Sequence, residues 1–507
     1  MSYLELLQLA APEAIVVLTA LVVLTIGLMT SRRGGGATVS AASNAVAGDT
    51  PTAKSAGLGS VVAALGLAVA AAVVLRLPEH AVFGGGMLVI SPLNSLFKVI
   101  CLVLAFFTVL LARGERSLPN KSEYLAMILL ATLGLLLLVG SEELLMIFIG
   151  LELTGLSLYV LTAFDKARQA SAEAGLKYFL FGSMASAFAL FGLSFIYGLT
   201  GTTALADIGP RIAAQSLQPL LFVGIVMTLI GFAFKIAAAP FHLWAPDAYQ
   251  AAPVSTAALI ASGSKVASFV VLGKVLLFAL PAVHGAAAWH AMVPGWAPVL
   301  AVLAAVSIVV GNFVALVQKN VRRLLAYSAV AHAGYTLLGL LALGRDGFAA
   351  TLFYTTVYAF TLLGAFGVVA LVRRENGGDD LTDFAGLRGR SPLLAACMAI
   401  FLLSLAGLPP LAGFFGKFYL FSAAFHAPGV DHGLLWLVAL ALFGSLVSLY
   451  YYLIVLKAIF VDESNTTNFA FTPDFLPRLA LVVLAAVVLL LGIMPDLLLA
   501  RVLASFS

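Results

Sequence analysis

The chain has 507 residues, of which 62% are hydrophobic and 10% are charged, whereas soluble domains are about half apolar and about a quarter charged. This composition excludes an ordinary soluble enzyme and predicts a polytopic membrane protein. The formal net charge of +4 comes from basic residues scattered singly and in pairs, so it does not predict nucleic-acid binding.

Apolar runs long enough to cross about 30 Å of hydrocarbon as helices recur along the chain. The alternating ten-residue pattern of a membrane β-barrel is missing from the sequence. We therefore predict an all-α polytopic membrane protein with fourteen transmembrane helices. Their predicted bounds are residues 12–30, 58–76, 93–113, 122–140, 143–163, 174–198, 218–239, 254–280, 296–317, 321–344, 347–372, 391–408 with an extension to 426, 433–460 and 477–500.

The loops between these helices differ strongly in charge. If the spans alternate in direction, most of the 27 lysine and arginine residues fall in loops on one side. The positive-inside rule then places both termini outside the cytoplasm. Residues 31–57, rich in Gly, Ser, Ala and Thr, predict a flexible loop, and residues 375–383 predict a charged, solvated one.

Two spans are interrupted by proline, and each carries a lysine. Lys235 precedes Pro240, and Pro409 and Pro410 precede Lys417. Because proline lacks an N–H and its ring clashes with the carbonyl four residues earlier, we expect both helices to break and to leave polar backbone groups beside the lysines. Such backbone is tolerated at membrane depth only where it faces protein or water.

The interrupted spans occupy comparable places in two blocks of five helices, which is typical of an internally repeated transporter. This pattern predicts four regions. They are an N-terminal region at 1–121, a first antiporter-like repeat at 122–280, a second repeat at 296–460 and a C-terminal helix at 477–507.

Further ionisable residues lie deep inside spans, where each costs about 2.5–3.5 kcal/mol to insert and needs a reason. Glu152 could pair with Lys235 and change its proton affinity when the two separate. Lys265, beside two serines and a glycine, suits a proton relay that His332 could extend. His242 lies beside the first broken helix. The alternatives are a static buried ion pair for Glu152 and ordinary core positions for both histidines.

Other polar residues receive a plainer interpretation. Lys98 and Lys177 lie near span ends and can extend their ammonium groups to the surface, which we favour for Lys98. The role of Lys274 is left open. For Tyr450–Tyr452 we favour an interfacial aromatic belt over a lining of hydroxyl groups.

No motif for a resident cofactor is present in the sequence. Cys101 and Cys397 are far apart inside apolar runs, so we expect buried cysteines and neither an iron–sulfur cluster nor a zinc site. Phosphate-binding loops, paired haem histidines and nucleophile elbows are also missing. We predict that the chain holds no cofactor and no metal.

These residues resemble the antiporter-like membrane subunits of respiratory complex I, and among them most closely the subunit N family of bacterial proton-pumping NADH:quinone oxidoreductase. The resemblance covers roughly residues 120–460. It depends on Gly150-Leu-Glu152-Leu, Ser157-Leu-Tyr159, Leu176-Lys177-Tyr178-Phe with Gly182 and Ser186-Ala, Phe234-Lys235, Pro240-Phe241-His242-Leu-Trp244, Pro246-Asp247, Ala252-Pro253-Val, Lys265 and Gly407-Leu-Pro409-Pro410 through Gly413-Phe-Phe-Gly416-Lys417.

The resemblance implies two inverted five-helix repeats and a buried charged axis. In that axis Glu152 and Lys235 are ion-pair partners, Lys265 is the central lysine and Lys417 the terminal lysine. A lysine at the last position resembles subunits M and N. NADH, FMN, iron–sulfur clusters and quinone are then expected in partner subunits, with antiporter-like subunit M and small subunit K as neighbours in a bacterial inner membrane. Both termini would be periplasmic.

Two other functions remain open at this stage. One is a subunit of a multi-subunit cation/proton antiporter, which would use an ion gradient instead of redox energy. The other is a membrane scaffold in which the charges only fix helix packing.

Overall fold

The computed structural model describes residues 3–34, 51–115, 120–214, 217–427, 432–463 and 475–506. Nearly all of this chain is helical. The N-terminal region contains α1 (Tyr3–Leu9), α2 (Ala11–Gly34), α3 (Pro51–Val74) and α4 (Pro92–Arg113).

The next group of helices covers the first predicted block. It contains α5 (Lys121–Gly140), α6 (Leu144–Thr162), α7 (Gln169–Thr200), α8 (Leu205–Ala213), α9 (Pro219–Lys235), α10 (Trp244–Ala251), α11 (Val254–Leu259) and α12 (Lys265–Lys274). Helices α11 and α12 belong to one continuous span, because the π-helical segments Ile260–Ser264 and Val275–Ala279 extend it without a break.

The remaining helices cover the second block and the C-terminus. They are α13 (Trp296–Ala315), α14 (Val321–Leu341), α15 (Gly344–Asn376), α16 (Leu387–Arg390), α17 (Pro392–Ala406), α18 (Ala412–Phe425), α19 (Leu435–Phe460), α20 (Phe475–Ile493) and α21 (Asp496–Ala504). Single 3₁₀ turns occur at Gly84–Gly86, Pro281–Val283 and Leu381–Phe384.

The β-structure of the described ranges consists of two short antiparallel hairpins. In the first, β1 (Ala81–Phe83) pairs with β2 (Leu88–Ile90). In the second, β3 (Ala286–Ala288) pairs with β4 (Ala291–Val293). Both hairpins connect consecutive membrane helices.

The predicted spans agree with the helices. Within the described residues, 12 helices are long and apolar enough to cross a membrane, and the shorter apolar helices Pro219–Lys235 and Pro392–Ala406 are the first halves of the two interrupted spans. All fourteen predicted spans therefore coincide with helices, with ends that agree to within two helical turns. The division into two repeats stays a prediction.

The predicted loop at 31–57 is wrong at both ends. Helix α2 continues to Gly34 and α3 begins at Pro51, where a proline in the first helical turn loses no hydrogen bond. Residues 35–50 lie outside the described residues.

The two faces of the molecule can be assigned from contacts between helix ends. Glu13, near the start of α2, contacts Lys98 of α4, and Lys274, at the end of α12, contacts Ser141 just after α5. Near the C-terminus, Phe506 packs on Phe348, which also contacts Phe278. Both ends of the described chain therefore lie on one side, which we call the termini face. The opposite side is the loop face.

The span Val254–Ala279, α14 and α15 form the centre of the molecule, since each is almost wholly buried. The other spans surround these three and expose apolar side chains such as Leu176, Phe191 and Leu446. Exposed apolar surface of this extent suits contact with lipid or with neighbouring membrane proteins.

A charged cluster closes the loop face of this centre. Asp379 accepts a hydrogen bond of 2.6 Å from Arg373 and forms an ion pair with the buried guanidinium of Arg322. Burial by itself raises the pKa of Asp379, but the two arginines and a hydrogen bond from Asn320 outweigh it and hold the pKa below its ordinary value of 3.8.

Candidate functional site

The predicted site residues lie at similar depths in the helices. Glu152 is the ninth of 19 residues in α6, and His332 is the twelfth of 21 in α14. Lys265 is the twelfth of 26 residues in the span Val254–Ala279. Lys235 ends α9, and Lys417 lies in the second turn of α18, so both flank the breaks of their spans.

The two predicted breaks are present. Helix α9 stops at Lys235 and the next helix starts at Trp244. The indole N–H of Trp244 donates to the carbonyl of Phe234 at 3.0 Å, and Ser307 accepts from the N–H of Ala239 at 2.8 Å. Backbone groups released by the break are thus satisfied by side chains.

The second break follows the same principle. Helix α17 ends at Ala406, and the positive φ of 85° at the next residue, Gly407, terminates it. A Cβ at Gly407 would lie 2.9 Å from Cδ of Lys417, so the glycine also makes room for the lysine stem. The Nζ of Lys417 donates to the carbonyl of Ala406 at 3.0 Å and to Ser445 at 2.8 Å.

Glu152 and Lys235 line one small cavity between α6, α7 and α9, with a volume of about 20 Å³. Glu152 accepts a short hydrogen bond from Ser186, and Lys235 donates to the carbonyl of Leu151 at 3.0 Å. No salt bridge joins Glu152 to Lys235 among the described residues. Each of the two groups is instead hydrogen-bonded to a nearer partner. The volume between them is enough for one water molecule.

Small residues create the space around Lys235. A Cβ at Gly155 would lie 3.1 Å from both Nζ of Lys235 and the hydroxyl of Tyr159, and a Cβ at Gly182 would lie 2.0 Å from that hydroxyl. Tyr159 packs edge-on against Tyr178 at 4.6 Å. The two glycines therefore let an aromatic hydroxyl approach the lysine.

Lys265 follows the π-helical segment Ile260–Ser264. Its Nζ donates to the carbonyl of Ala329 in α14 at 2.7 Å and lies 5.5 Å from the ring centre of Tyr358 in α15. The hydroxyl of Tyr358 is buried and has no hydrogen-bond partner among the described residues. Such a group favours an internal water molecule.

His332 shares Tyr358 as a neighbour with Lys265 and is hydrogen-bonded to two further tyrosines. The ring of Tyr358 lies 5.0 Å from the His332 ring. His332 Nδ1 is hydrogen-bonded to the hydroxyl of Tyr354 at 2.5 Å, and Nε2 to that of Tyr452 at 3.1 Å. Tyr452 is also bound to Ser328. His332 is therefore not an isolated core histidine.

A second set of hydrogen bonds ends at Tyr335, whose ring lies beside Lys417. The Tyr451 hydroxyl donates to Asn312 at 3.2 Å, and the Asn312 amide donates to Tyr335 at 2.8 Å. The ring of Tyr335 lies 5.4 Å from Nζ of Lys417, and the rings of Tyr451 and Tyr452 are 4.6 Å apart. We call the groups between the two lysines the polar chain; it comprises Tyr358, Tyr354, His332, Tyr452, Ser328, Tyr451, Asn312 and Tyr335.

His242 lies apart from the polar chain. It is buried in the first break, its nearest aromatic neighbour is Tyr327 at 6.2 Å, and its Nδ1 has no partner within the described part of the chain.

Three lysines outside the predicted axis are placed by the structure. Lys98 is buried and pairs with Glu13 at 2.6 Å, so the interpretation that it extends to the surface is wrong. Lys177 is half-exposed and binds Glu173 and Asp247 at 2.7 and 2.9 Å. Lys274, which the sequence left open, is completely buried beside the ends of α4 and α5.

The tyrosine run divides between two roles. Tyr450 is 62% exposed, as an aromatic belt requires, but Tyr451 and Tyr452 are buried in the polar chain. The belt interpretation is therefore wrong for two of the three.

Within the described ranges, histidine, cysteine, aspartate and glutamate side chains form no group of three or more that could hold a metal ion. Both cysteines, Cys101 and Cys397, are buried and unpaired with each other.

Comparison with known proteins places this geometry in a family. Residues 141–448 match the family model described as "NADH:quinone oxidoreductase/Mrp antiporter, TM". The chain is 45% identical over 506 residues to NADH-quinone oxidoreductase subunit N 2 of Acidobacterium capsulatum, covering 98% of both chains. The chain belongs to the subunit N family of NADH-quinone oxidoreductases. It is accordingly a multi-pass membrane protein and a member of an NADH:quinone oxidoreductase complex.

Solved structures share the fold of this subunit N family member. A chain of respiratory complex I from Thermus thermophilus with bound aureothin matches with a TM-score of 0.74 and 33% identity, covering 95% of this chain and 98% of that one. A chain of the Mrp complex from Dietzia sp. matches with a TM-score of 0.79 and 20% identity, covering 98% and 97%. The second likeness concerns the fold alone.

Sequence reasoning missed most of the polar chain of this subunit N family member. Asn312, Tyr335, Tyr354 and Tyr358 are polar residues within apolar spans, and their depth was the available signal. All six predicted site residues fall within the matched range 141–448.

Proposed function

We propose that this chain is a proton-translocating subunit of an NADH:quinone oxidoreductase and that protons move through its buried Glu/Lys relay. Membership of the subunit N family supports the assignment to such a complex. The redox reaction is assigned to partner subunits, which would hold NADH, FMN, iron–sulfur clusters and quinone. Subunits M and K are the proposed neighbours.

The observation that carries the proposal is the polar chain from Lys265 to Lys417. Its direct hydrogen bonds are between 2.5 and 3.2 Å where His332 binds Tyr354 and Tyr452 and where Asn312 binds Tyr335 and Tyr451. Hydroxyl and imidazole groups both donate and accept protons. Internal water would complete the path at the unpartnered hydroxyl of Tyr358 and beside Asn312, whose amide orients the neighbouring hydroxyls but does not itself relay a proton.

The cavity shared by Glu152 and Lys235 is proposed as the coupled end of this relay. An ionised Glu152 favours a protonated Lys235, whereas burial favours a neutral one. A conformational or electrostatic change from a neighbouring subunit that alters their separation would change the proton affinity of Lys235. Moving one charge against 100 mV requires about 2.3 kcal/mol, which equals a change in affinity of about fiftyfold.

The proposed site of action is a bacterial inner membrane with both termini in the periplasm. The excess of lysine and arginine in loops of the loop face supports this orientation. Protons would then enter from the loop face and leave at the termini face.

The test measures pumped protons per NADH oxidised in membrane vesicles that contain the assembled complex. Lys265→Met keeps an unbranched side chain but removes the titrating group, so we expect a severalfold loss of pumping with assembly retained. Lys457→Met is the matched control, because Lys457 is 66% exposed and 3.7 Å from Asp462. Wild-type pumping by Lys265→Met would favour a scaffold role instead.

A subunit of a cation/proton antiporter is the second candidate. It is favoured by the family model, whose description includes the Mrp antiporter. Sodium-for-proton exchange by a purified complex that lacks redox cofactors would support this candidate. Co-purification with a flavin-containing NADH-oxidising arm would reject it.

A further inference from the structure

The span Val254–Ala279 carries two lysines, and each borders a π-helical segment. Lys265 directly follows Ile260–Ser264, and Lys274 directly precedes Val275–Ala279. π-helical turns are rare and occur frequently at functional sites. Lys274 therefore shares with Lys265, the central lysine of the proposed relay, a position next to a π-helical segment.

Lys274 is enclosed by acceptors at the termini face. Its Nζ donates to the Asn94 side chain at 2.5 Å and to the carbonyl of Val139 at 2.8 Å, and the carbonyl of Ser141 lies at 3.5 Å. Glu142 Oε1 lies at 3.4 Å. A completely buried ammonium group is thus held beside a carboxylate.

Glu142 connects this buried group to solvent. Its side chain is 27% exposed, whereas that of Lys274 is 0% exposed. Asn94 bridges the two, because its amide also lies 3.5 Å from Glu142. A proton on Lys274 consequently has a partly solvated acceptor within one short step.

The neighbouring pair of Lys98 and Glu13 differs in this respect. Its side chains are only 2% and 7% exposed and their charged atoms are 2.6 Å apart. Both charges are sealed from water, so this pair suits a static link between α2 and α4. It lies before the range that the family model matches.

We propose that Lys274 is a further proton carrier of this subunit and releases protons through Glu142 at the termini face. The inference rests on the proposed function, since it needs protons delivered from the relay. The ammonium of Lys274 would give its proton to the Glu142 carboxylate, leaving a neutral amine and a carboxylic acid. The acid would then lose the proton to water at the termini face.

The distance from the relay sets one requirement. Lys274 lies nine positions after Lys265, which is about 13–14 Å along the helix, and the two side chains face opposite sides of it. Lys265 contacts α14 and α15, whereas Lys274 contacts α4 and α5. Water molecules must therefore join them while a proton moves.

A purely structural role for Lys274 makes a different prediction. Its bonds to the carbonyls of Val139 and Ser141 cap the end of α5, which any cation can do. Arginine also supplies a fixed positive charge, but its guanidinium does not release a proton at physiological pH. The substitution Lys274→Arg consequently separates capping from proton transfer.

The experiment measures assembly and pumped protons per NADH oxidised for Lys274→Arg, Lys274→Met and Glu142→Gln in the complete complex. We expect assembled Lys274→Arg and Glu142→Gln complexes to lose pumping as strongly as Lys265→Met. The matched control is Lys98→Arg, which keeps its ion pair and should pump normally.

The outcomes are distinguishable from a failure of the proposed function. Wild-type pumping by assembled Lys274→Arg or Lys274→Met overturns the inference, while a loss in Lys265→Met keeps the proposed function. If neither Lys274 variant assembles, Glu142→Gln decides, and normal pumping there overturns the inference. Normal pumping by Lys265→Met rejects the proposed function itself.

Discussion

The space that Gly182 provides for Tyr159 yields a quantitative prediction. An alanine Cβ at position 182 would lie 2.0 Å from the Tyr159 hydroxyl and 2.5 Å from its Cζ. Ordinary contact distances are about 3.5–4 Å, so the ring must move by roughly 1.5 Å. Tyr178 and Phe179, with ring centres at 4.6 and 6.0 Å, restrict that movement.

Overpacking of this kind lowers the folding stability by about 1–3 kcal/mol, whereas replacement of a helical glycine by alanine by itself raises it by about 0.5–1 kcal/mol. Because Tyr159 is confined, we expect Gly182→Ala to lose about 2 kcal/mol of folding stability. Pumping should fall too, because the displaced hydroxyl leaves the neighbourhood of Lys235.

Gly198 on the same helix is the matched control, since a Cβ there would meet nothing within 4 Å. Gly198→Ala should be neutral or slightly stabilising and should pump normally. The assay heats the purified complex in detergent and records the temperature at which half of this chain is lost from it. Equal temperatures for the two variants would refute the contact between Gly182 and Tyr159.

Three more predictions follow from buried polar contacts. Lys98→Met should destabilise the chain by about 3–5 kcal/mol because Glu13 stays buried without its cation, and adding Glu13→Leu should restore thermal stability; no recovery in the double variant would contradict a static pair. Asp379→Asn should lower the folding stability by about 3–5 kcal/mol, because the buried guanidinium of Arg322 loses the negative charge of its ion-pair partner. Because the pKa of Asp379 is depressed in the folded protein, its contribution to folding stability is present above pH 3.8 and is lost as the pH falls through that depressed pKa. The loss of thermal stability caused by Asp379→Asn should therefore be equal at pH 5 and pH 8. Tyr452→Phe removes hydroxyl bonds to the histidine and Ser328 of the polar chain and should lower pumped protons per NADH without loss of assembly; unchanged pumping would exclude this hydroxyl from the path.

The positions of helices and of deep charges were accessible to sequence reasoning. The depth of Glu152, Lys265 and His332 was recognisable because an ionisable side chain near the middle of an apolar run stands out from its neighbours. The breaks beside Lys235 and Lys417 were found because proline cannot continue a helix. Each of these signals is local in the chain.

Partners were not accessible in the same way. The pairing of Lys98 with Glu13 crosses 85 positions, and the contact of Lys274 with Asn94 crosses 180. The place of Lys98 near a span end suggested contact with the surface, and the sequence left Lys274 open, whereas the packing of α2, α4, α5 and α12 buries both lysines. Depth along a helix therefore did not reveal the direction of the side chain.

By itself, the sequence determined that the chain crosses a membrane through helices, approximately where those helices lie, and which ionisable residues are deep in them. Length and hydropathy suffice for this, because bilayer thickness and backbone hydrogen bonding restrict the choices. Only tertiary structure decided which tyrosines join His332 and which lysines are sealed. The reason is that lipid and protein interior are similarly apolar, so a membrane helix carries little contrast between its faces until its neighbours are in place.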